Sequence, residues 1–355
     1  MPNCEFKALT YPTLLWLKNS FKACDGNGSA AWHSFVRRPI RGWSAAYPET
    51  TGYIIETLLD YYLLFQEKWM EDDAIAGADW LISVQKDDGS FPAGLGINGA
   101  PSVFNSGMIL LGLERAYVHT KDIKYLSCAA NTVKWLCSCL EENGKWSSAA
   151  YISGFSPAYY TRVIWATLKV NLHLQNQHVA QKMKLAIAYY ATKINENHSV
   201  QDWSFAPGKA AFTHTIAYTM RGFLESAELL ADTQYRLIAQ NMAERLISEF
   251  NLKQKLAGTY DERWVGDYAF VCVTGNAQLS LNFSRLYQIT GEIVYYEYAK
   301  KFFESVKTSP SRIQIPGILG GIPGSVPFWG KYMPFQFINW GAKFWLDAAL
   351  LLETA

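Results

Sequence analysis

Apolar residues recur along this chain at helical spacing, in blocks separated by polar stretches rich in glycine and proline. The first block, residues 53–66, carries Ile54, Leu58 and Tyr61-Tyr62 on one face. The second, 72–84, carries Ile75, Trp80 and Leu81-Ile82, and Lys86-Asp-Asp-Gly-Ser-Phe-Pro stops it with turn chemistry. The pair then recurs as 108–117 with 125–140, 161–174 with 179–194, 215–230 with 233–250, and 276–289 with 292–307. A last block starting at Trp340 has no partner after it. Residues 11–23, with Leu14-Leu15, Leu17 and Phe21, supply one from the other end of the chain.

The first helix of each pair starts from a similar short segment, anchored at Thr51, Ser106, Thr161, Thr215, Thr274 and Trp340. The steps between anchors are 55, 55, 54, 59 and 66 residues. Such a period means one supersecondary unit reused. Six helical hairpins, the last completed by the N-terminal helix, predict an all-α (α/α)6 toroid, a single domain over residues 1–355. An open solenoid would need polar capping repeats, and the sequence offers none.

In such a ring the links from each second helix to the next first helix open at one end. Here those links are 41–52, 86–106, 143–160, 197–214, 257–274 and 309–339, far longer than the turns inside each hairpin. Much of the aromatic content, 13 Trp, 21 Tyr and 19 Phe, falls in them, which argues against disorder. The first link holds Arg41, Trp43, Tyr47 and Glu49, the second Asn105, and the third Tyr151 and Tyr160 with Arg162 just inside its helix. The fourth holds Asp202, Trp203 and His214, with Tyr218 and Arg221 one and two turns on. The fifth holds Tyr260, Asp261, Arg263 and Trp264, with Asn276 beyond it, and the sixth Trp329, Tyr332 and Trp340.

Aromatic rings interleaved with carboxylates, Arg and Asn suit a carbohydrate, whose ring faces stack while its hydroxyls take directional hydrogen bonds. Arg adds a preference for an anionic sugar or a phosphate. His214, Tyr218 and Arg221 stand at i, i+4 and i+7, so one helical face offers a base, a phenol and a cation. A lyase or epimerase would draw its acid and base from His214, Tyr218 and Tyr260, with Arg221 or Arg162 meeting a carboxylate. A hydrolase would use Glu49 with Asp261 or Asp202, since glycoside hydrolysis takes two carboxylates at a set distance. Each candidate also has a plain reading: Glu49 as a first-turn carboxylate, His214 as a core histidine, and Asp261-Glu262-Arg263 as a salt-bridged turn. Glu71-Asp72-Asp73 lies at a turn of the opposite end and reads as a helix N-cap.

Composition narrows the partners. The net charge is +1 and no basic run of five occurs, so nucleic acid and a polybasic membrane anchor are unsupported. The N-terminus has no signal-peptide pattern, and no apolar run reaches the roughly 20 residues of a membrane span. The six cysteines form no metal or redox spacing and read as free thiols of a reducing cytoplasm. No cofactor or metal site is expected, a saccharide ligand is, and the oligomeric state is open.

The segment Trp80-Leu-Ile-Ser-Val-Gln-Lys-Asp-Asp-Gly-Ser-Phe resembles the Q-x-x-x-G-x-W/F repeat of the terpene cyclase and protein prenyltransferase toroids, with Trp135 and Gly144-Lys-Trp146 a second copy. The chain as a whole is similar to bacterial prenyltransferase- or squalene-cyclase-like proteins that accompany polysaccharide biosynthesis. The segments carrying that likeness are Tyr47-Pro-Glu-Thr-Thr-Gly-Tyr-Ile-Ile, His214-Thr-Ile-Ala-Tyr-Thr-Met-Arg-Gly, Val273-Thr-Gly-Asn-Ala-Gln and Asn339-Trp-Gly-Ala-Lys-Phe. The resemblance implies the toroid. The same fold also carries glycosidases, polysaccharide lyases and sugar epimerases, and fold does not decide function. A cytoplasmic carbohydrate-active enzyme acting on an anionic or lipid-linked saccharide is therefore expected. The alternatives are a terpenoid or prenyl-processing enzyme, whose acidic motif and zinc ligands are not found, and a non-catalytic saccharide-binding protein.

Overall fold

The structure, a computed structural model, describes residues 4–36 and 42–354, so Arg41 lies outside the described residues. Among these, twelve α-helices alternate between an inner and an outer ring. The outer helices are α1 (Cys4–Lys22), α3 (Lys68–Val84), α5 (Ile123–Cys139), α7 (Gln177–Ala191), α9 (Thr233–Lys253) and α11 (Ile293–Glu304). The inner helices are α2 (Pro48–Phe65), α4 (Val103–Thr120), α6 (Thr161–Leu174), α8 (Thr213–Leu230), α10 (Val273–Thr290) and α12 (Asn339–Thr354). Each inner helix packs on the next, and α12 returns to α2, closing an (α/α)6 toroid.

The inner helices are buried nearly all round, which is why their apolar stripes are broad, while the outer helices keep one polar face. Most inner helices start earlier than the apolar pattern predicts. In α2 the added turn begins at Pro48, whose fixed φ suits the first helical position. In α4 the Ser102 hydroxyl caps the helix by accepting from the Asn105 N–H at 3.3 Å. Helix α3 also starts early, with Glu67 at its N-cap, so Glu71, Asp72 and Asp73 fall in the first turns rather than at the cap. Glu71 meets His119 at 2.6 Å there.

The repeat anchors act as ties. The Thr51 hydroxyl donates to Tyr47 O and accepts from the Ser29 N–H, both at 2.9 Å. Ser106 accepts from the Phe91 N–H at 2.9 Å, and Thr161 donates to Thr219 O of the next inner helix at 3.1 Å. The Gln-x-x-x-Gly-x-Phe segment is structural in the same way. The Gln85 amide donates to Cys128 O and Thr132 Oγ1, both at 2.9 Å, tying the end of α3 to α5. Neighbouring inner helices approach until only glycine fits: a Cβ on Gly112 would lie 1.9 Å from the Gly52 carbonyl oxygen.

The ring closes where the chain's two ends meet. Helix α1 packs on α12, and β1 (Trp32–Ser34) pairs antiparallel with β7 (Gln336–Ile338). The buried Asn339 amide donates to Ser29 Oγ and Thr50 Oγ1, both at 2.9 Å. Further along the seam, Thr57 donates to Asp347 at 2.6 Å and Tyr61 to Leu346 O at 2.9 Å. Short strands lace neighbouring links at the same end of the ring: β2 (Ala211–Phe212), β3 (Thr259–Tyr260) and β4 (Gly266–Asp267) form one sheet, β5 (Val271–Cys272) and β6 (Ser325–Val326) another. No helix of the described residues is long and apolar enough to cross a membrane.

Asn339→Ala removes both closure bonds, so it is expected to lower the unfolding free energy by about 1–2 kcal/mol in urea titrations. A change below about 0.5 kcal/mol would mean that the seam does not depend on this amide.

Candidate active site

The first turns of the six inner helices converge at the end of the ring that the long links cover. Those links meet across this end. Their aromatic side chains knit into a collar: Phe104 against Tyr159 at 4.9 Å between ring centroids, Tyr159 against Phe205 at 5.7 Å, and Phe212 against Tyr332 at 4.9 Å. The Trp340 indole N–H donates to the Tyr332 hydroxyl at 2.8 Å, and its ring meets Tyr47 edge-on at 6.4 Å. The Tyr47 and Tyr151 hydroxyls are 2.8 Å apart, and Tyr151 donates to the Asn105 side-chain oxygen. Edge-to-face contacts of this kind let many rings share a small space, which is how six aromatic-rich links come to fill the ring end.

Two titratable groups lie under the collar and just reach solvent, Glu49 with 6% and His214 with 4% of its surface exposed. Both stand at the second position of their helices, α2 and α8, so the repeat itself brings them to one level. The Tyr47 hydroxyl donates to Glu49 at 2.5 Å. Burial pushes the Glu49 carboxyl up to about 7, against the opposing pull of the Tyr47 hydrogen bond and the charge of Arg162. Burial, with the charge of Arg162 added, pushes His214 down to about 3, so its ring is neutral. The Gln278 amide donates to His214 Nδ1 at 2.5 Å in this orientation, which leaves the ring proton on Nε2. Between the two groups lie Tyr53, beside both Glu49 and Tyr218, and Tyr218, whose ring is 4.4 Å from that of His214.

Arg162 lies on the far side of this cluster. Its guanidinium stacks on Tyr218 at 4.6 Å, Trp165 at 5.0 Å and Phe344 at 5.3 Å, and its Nε donates to Met108 Sδ at 3.2 Å. With Arg221 it lines a cavity of about 820 Å³ that runs from Arg162, Gln278 and Phe344 toward the C-terminal ends of the inner helices. Arg221 pairs with Glu225 at 2.8 Å, so two turns of helix carry it out of the His214 cluster.

The other residues singled out in the sequence have different company. Trp43 packs on Trp16 at 5.0 Å and His33 at 5.1 Å, by the closure seam. Tyr160 is fully buried against Phe104, and Trp264 packs on both Trp203 and Tyr260. Asp261 accepts from the N–H groups of Arg263 and Val265 at 2.8 Å and pairs with the exposed Arg263, a self-contained turn. Asp202 pairs with Lys193 at 3.1 Å. Asn276 donates to Ser305 Oγ at 2.8 Å, and Trp329 is 69% exposed. Tyr53 and Gln278 belong to the cluster but escaped the sequence reading. Each is four residues beyond a position it used, Glu49 and Thr274, so following the helical face one turn further finds them.

No protein-family model matches the sequence, and no curated protein matches it. Solved structures do match in shape. An unsaturated glucuronyl hydrolase specific for heparin has 13% sequence identity over 98% of this chain and 96% of its own, with a TM-score of 0.77. A sugar epimerase from a ruminal bacterium has 13% identity over 98% of both chains, TM-score 0.74. Cellobiose 2-epimerase from Spirochaeta thermophila has 14% identity over 99% of this chain and 96% of its own, TM-score 0.72. At this identity the likeness is one of fold.

The Glu49 carboxyl ties stability to pH. Folded, it titrates near 7, and unfolded near its ordinary 4.5, so between these values the folded form keeps a proton that the unfolded chain has lost. The stability this supplies is complete below pH 4.5 and is lost as pH rises through 7, a fall of about 3 kcal/mol. Glu49→Gln, neutral throughout, is expected to gain on the wild type by that amount between pH 4.5 and 8 in urea titrations. Parallel pH profiles for the two proteins would show that Glu49 is already ionised in the fold.

Proposed function

We propose that this protein is a carbohydrate-active enzyme that moves protons on a saccharide held against the aromatic collar, by epimerase- or lyase-type chemistry. The observation that carries the reading is the buried Glu49 carboxyl, pushed up to about 7 across Tyr53 and Tyr218 from a neutral His214 and beneath rings suited to stack on a sugar face. A carboxyl poised there gives and takes a proton near neutral pH. His214, its Nδ1 occupied by Gln278, presents Nε2–H to the substrate oxygen on which charge develops. Paired-carboxylate hydrolysis finds less support, since Asp261 and Asp202 are held by their own partners. The positive field of Arg162, already felt by Glu49 and His214, favours a saccharide carrying negative charge. The polysaccharide-biosynthesis context and a lipid-linked substrate belong to the same proposal by the sequence resemblance, and the cytoplasmic setting by the free thiols.

The test is incubation in D2O with a panel of neutral disaccharides and uronate-bearing oligosaccharides, read by NMR for deuterium incorporation and product. Wild type is expected to incorporate deuterium, faster with uronates, with kcat/KM turning near pH 7. Glu49→Gln is expected to lose about 100-fold or more, the usual scale of acid–base catalysis. Turnover retained in both Glu49→Gln and His214→Ala would overturn the site. Saccharide binding without exchange or product would make the protein a binding module instead.

A further inference from the structure

The cavity on the C-terminal side of Arg162 has a volume of about 820 Å³, within the usual range of ligand sites. Its walls are dense with charge, and the charges are matched. Glu56 meets Lys169 at 2.7 Å, Glu225 meets Arg221 at 2.8 Å and Arg285 at 3.0 Å, and Asp347 meets Lys343. Asp60 meets Arg115 at 2.5 Å and Glu228 meets Arg236 at 3.3 Å. Burial alone would push Glu56 up, yet Lys169 and Lys343 hold it down at about 2, so these pairs are ionic.

Among the described residues lining the cavity, Arg162 is the cation without a carboxylate partner. It is 3% exposed, and its one hydrogen bond is the Nε contact to Met108. The guanidinium rests on ring faces and a thioether, with no carboxylate of the described residues in ion-pair reach to balance its charge. Its two terminal nitrogens, with four N–H donors, are left for a ligand. Toward the opening the wall changes character. Leu63 and Leu172, both more than half exposed, stand there with Leu229, Leu350 and Leu351 from the last turns of α8 and α12. Arg162 and Leu172 are ten residues apart on α6, a rise of about 15 Å.

We propose that this cavity is a second ligand chamber, entered from the end of the ring opposite the collar, for an amphiphile with one anionic head. The phosphate or carboxylate head is held by Arg162 at the inner end, and an aliphatic portion lies against the leucines of the opening. The other cations along the walls are already paired, so the described lining offers one free positive charge and suits a ligand with one anionic end. The chamber meets the Glu49–His214 cluster at Arg162 and Gln278, but an amphiphile there does not depend on the saccharide chemistry proposed for that cluster.

Decyl phosphate below its micelle concentration serves as the probe, with inorganic phosphate and decanol as the two halves of its chemistry, each titrated calorimetrically into the full chain. Decyl phosphate is expected to bind at least tenfold more tightly than either half. Arg162→Met, which removes the unpaired charge at nearly constant volume, is expected to weaken it at least tenfold. The exposed pair Leu63→Gln with Leu172→Gln, remote from the core, is expected to weaken decyl phosphate without changing inorganic phosphate. Glu49→Gln is expected to bind the probe as wild type does, so loss of saccharide chemistry and loss of the chamber are read separately. No binding of decyl phosphate, equal affinity for it and for inorganic phosphate, or affinity unchanged in both the Arg162 and the leucine variants would each overturn the proposal.

Discussion

A closed ring of helices encloses a space that its own side chains must fill, and this constraint governs everything else in the molecule. Inner helices close enough for Gly112 to abut the Gly52 carbonyl still enclose a space that includes a cavity of about 820 Å³. The chain fills it unevenly. Tyrosines, phenylalanines and a histidine occupy the end where the inner helices start, matched ion pairs line the other half, and Arg162 lies between, its guanidinium against Tyr218 and Phe344. The pKa values at both levels follow. Above Arg162, burial without a paired cation keeps Glu49 protonated near neutrality, while below it Lys169 and Lys343 keep Glu56 ionised.

The architecture was legible because it is periodic. Six anchors at nearly constant spacing located the inner helices, and the orphan helix at each end of the chain foretold the seam now seen between α1 and α12. Boundaries were less legible, since Pro48 and the Ser102 cap extend helices beyond the apolar pattern. At the site, the period places Glu49 and His214 at one level, with Tyr218 one turn on. It failed for Arg221 because a shared helical face says nothing of depth: seven residues carry a side chain about 10 Å along the axis, here into the opposite half of the ring. It also said nothing of whether the aromatic links would gape or close. That depends on ring-on-ring packing between links distant in sequence, such as Phe212 on Tyr332.

The same filling joins stability to chemistry. A carboxyl held protonated by burial weakens the fold above neutral pH, so Glu49 is a poor choice for structure and a good one for proton transfer. Its neighbours Tyr47, Tyr53 and Tyr218 are phenols rather than cations, which leaves the carboxyl poised instead of fixed in one charge state. The ring thus presents two ends of opposite character, an aromatic one suited to sugar faces and a charged one with a leucine opening.

The most direct measurement is the titration of Glu49 itself, by NMR of protein carrying carbon-13 at the glutamate carboxyls, with Glu49→Gln to assign the signal. A midpoint near 7 that shifts when a saccharide is bound at the collar is expected. A carboxyl titrating at its ordinary 4.5 and indifferent to saccharide would contradict it.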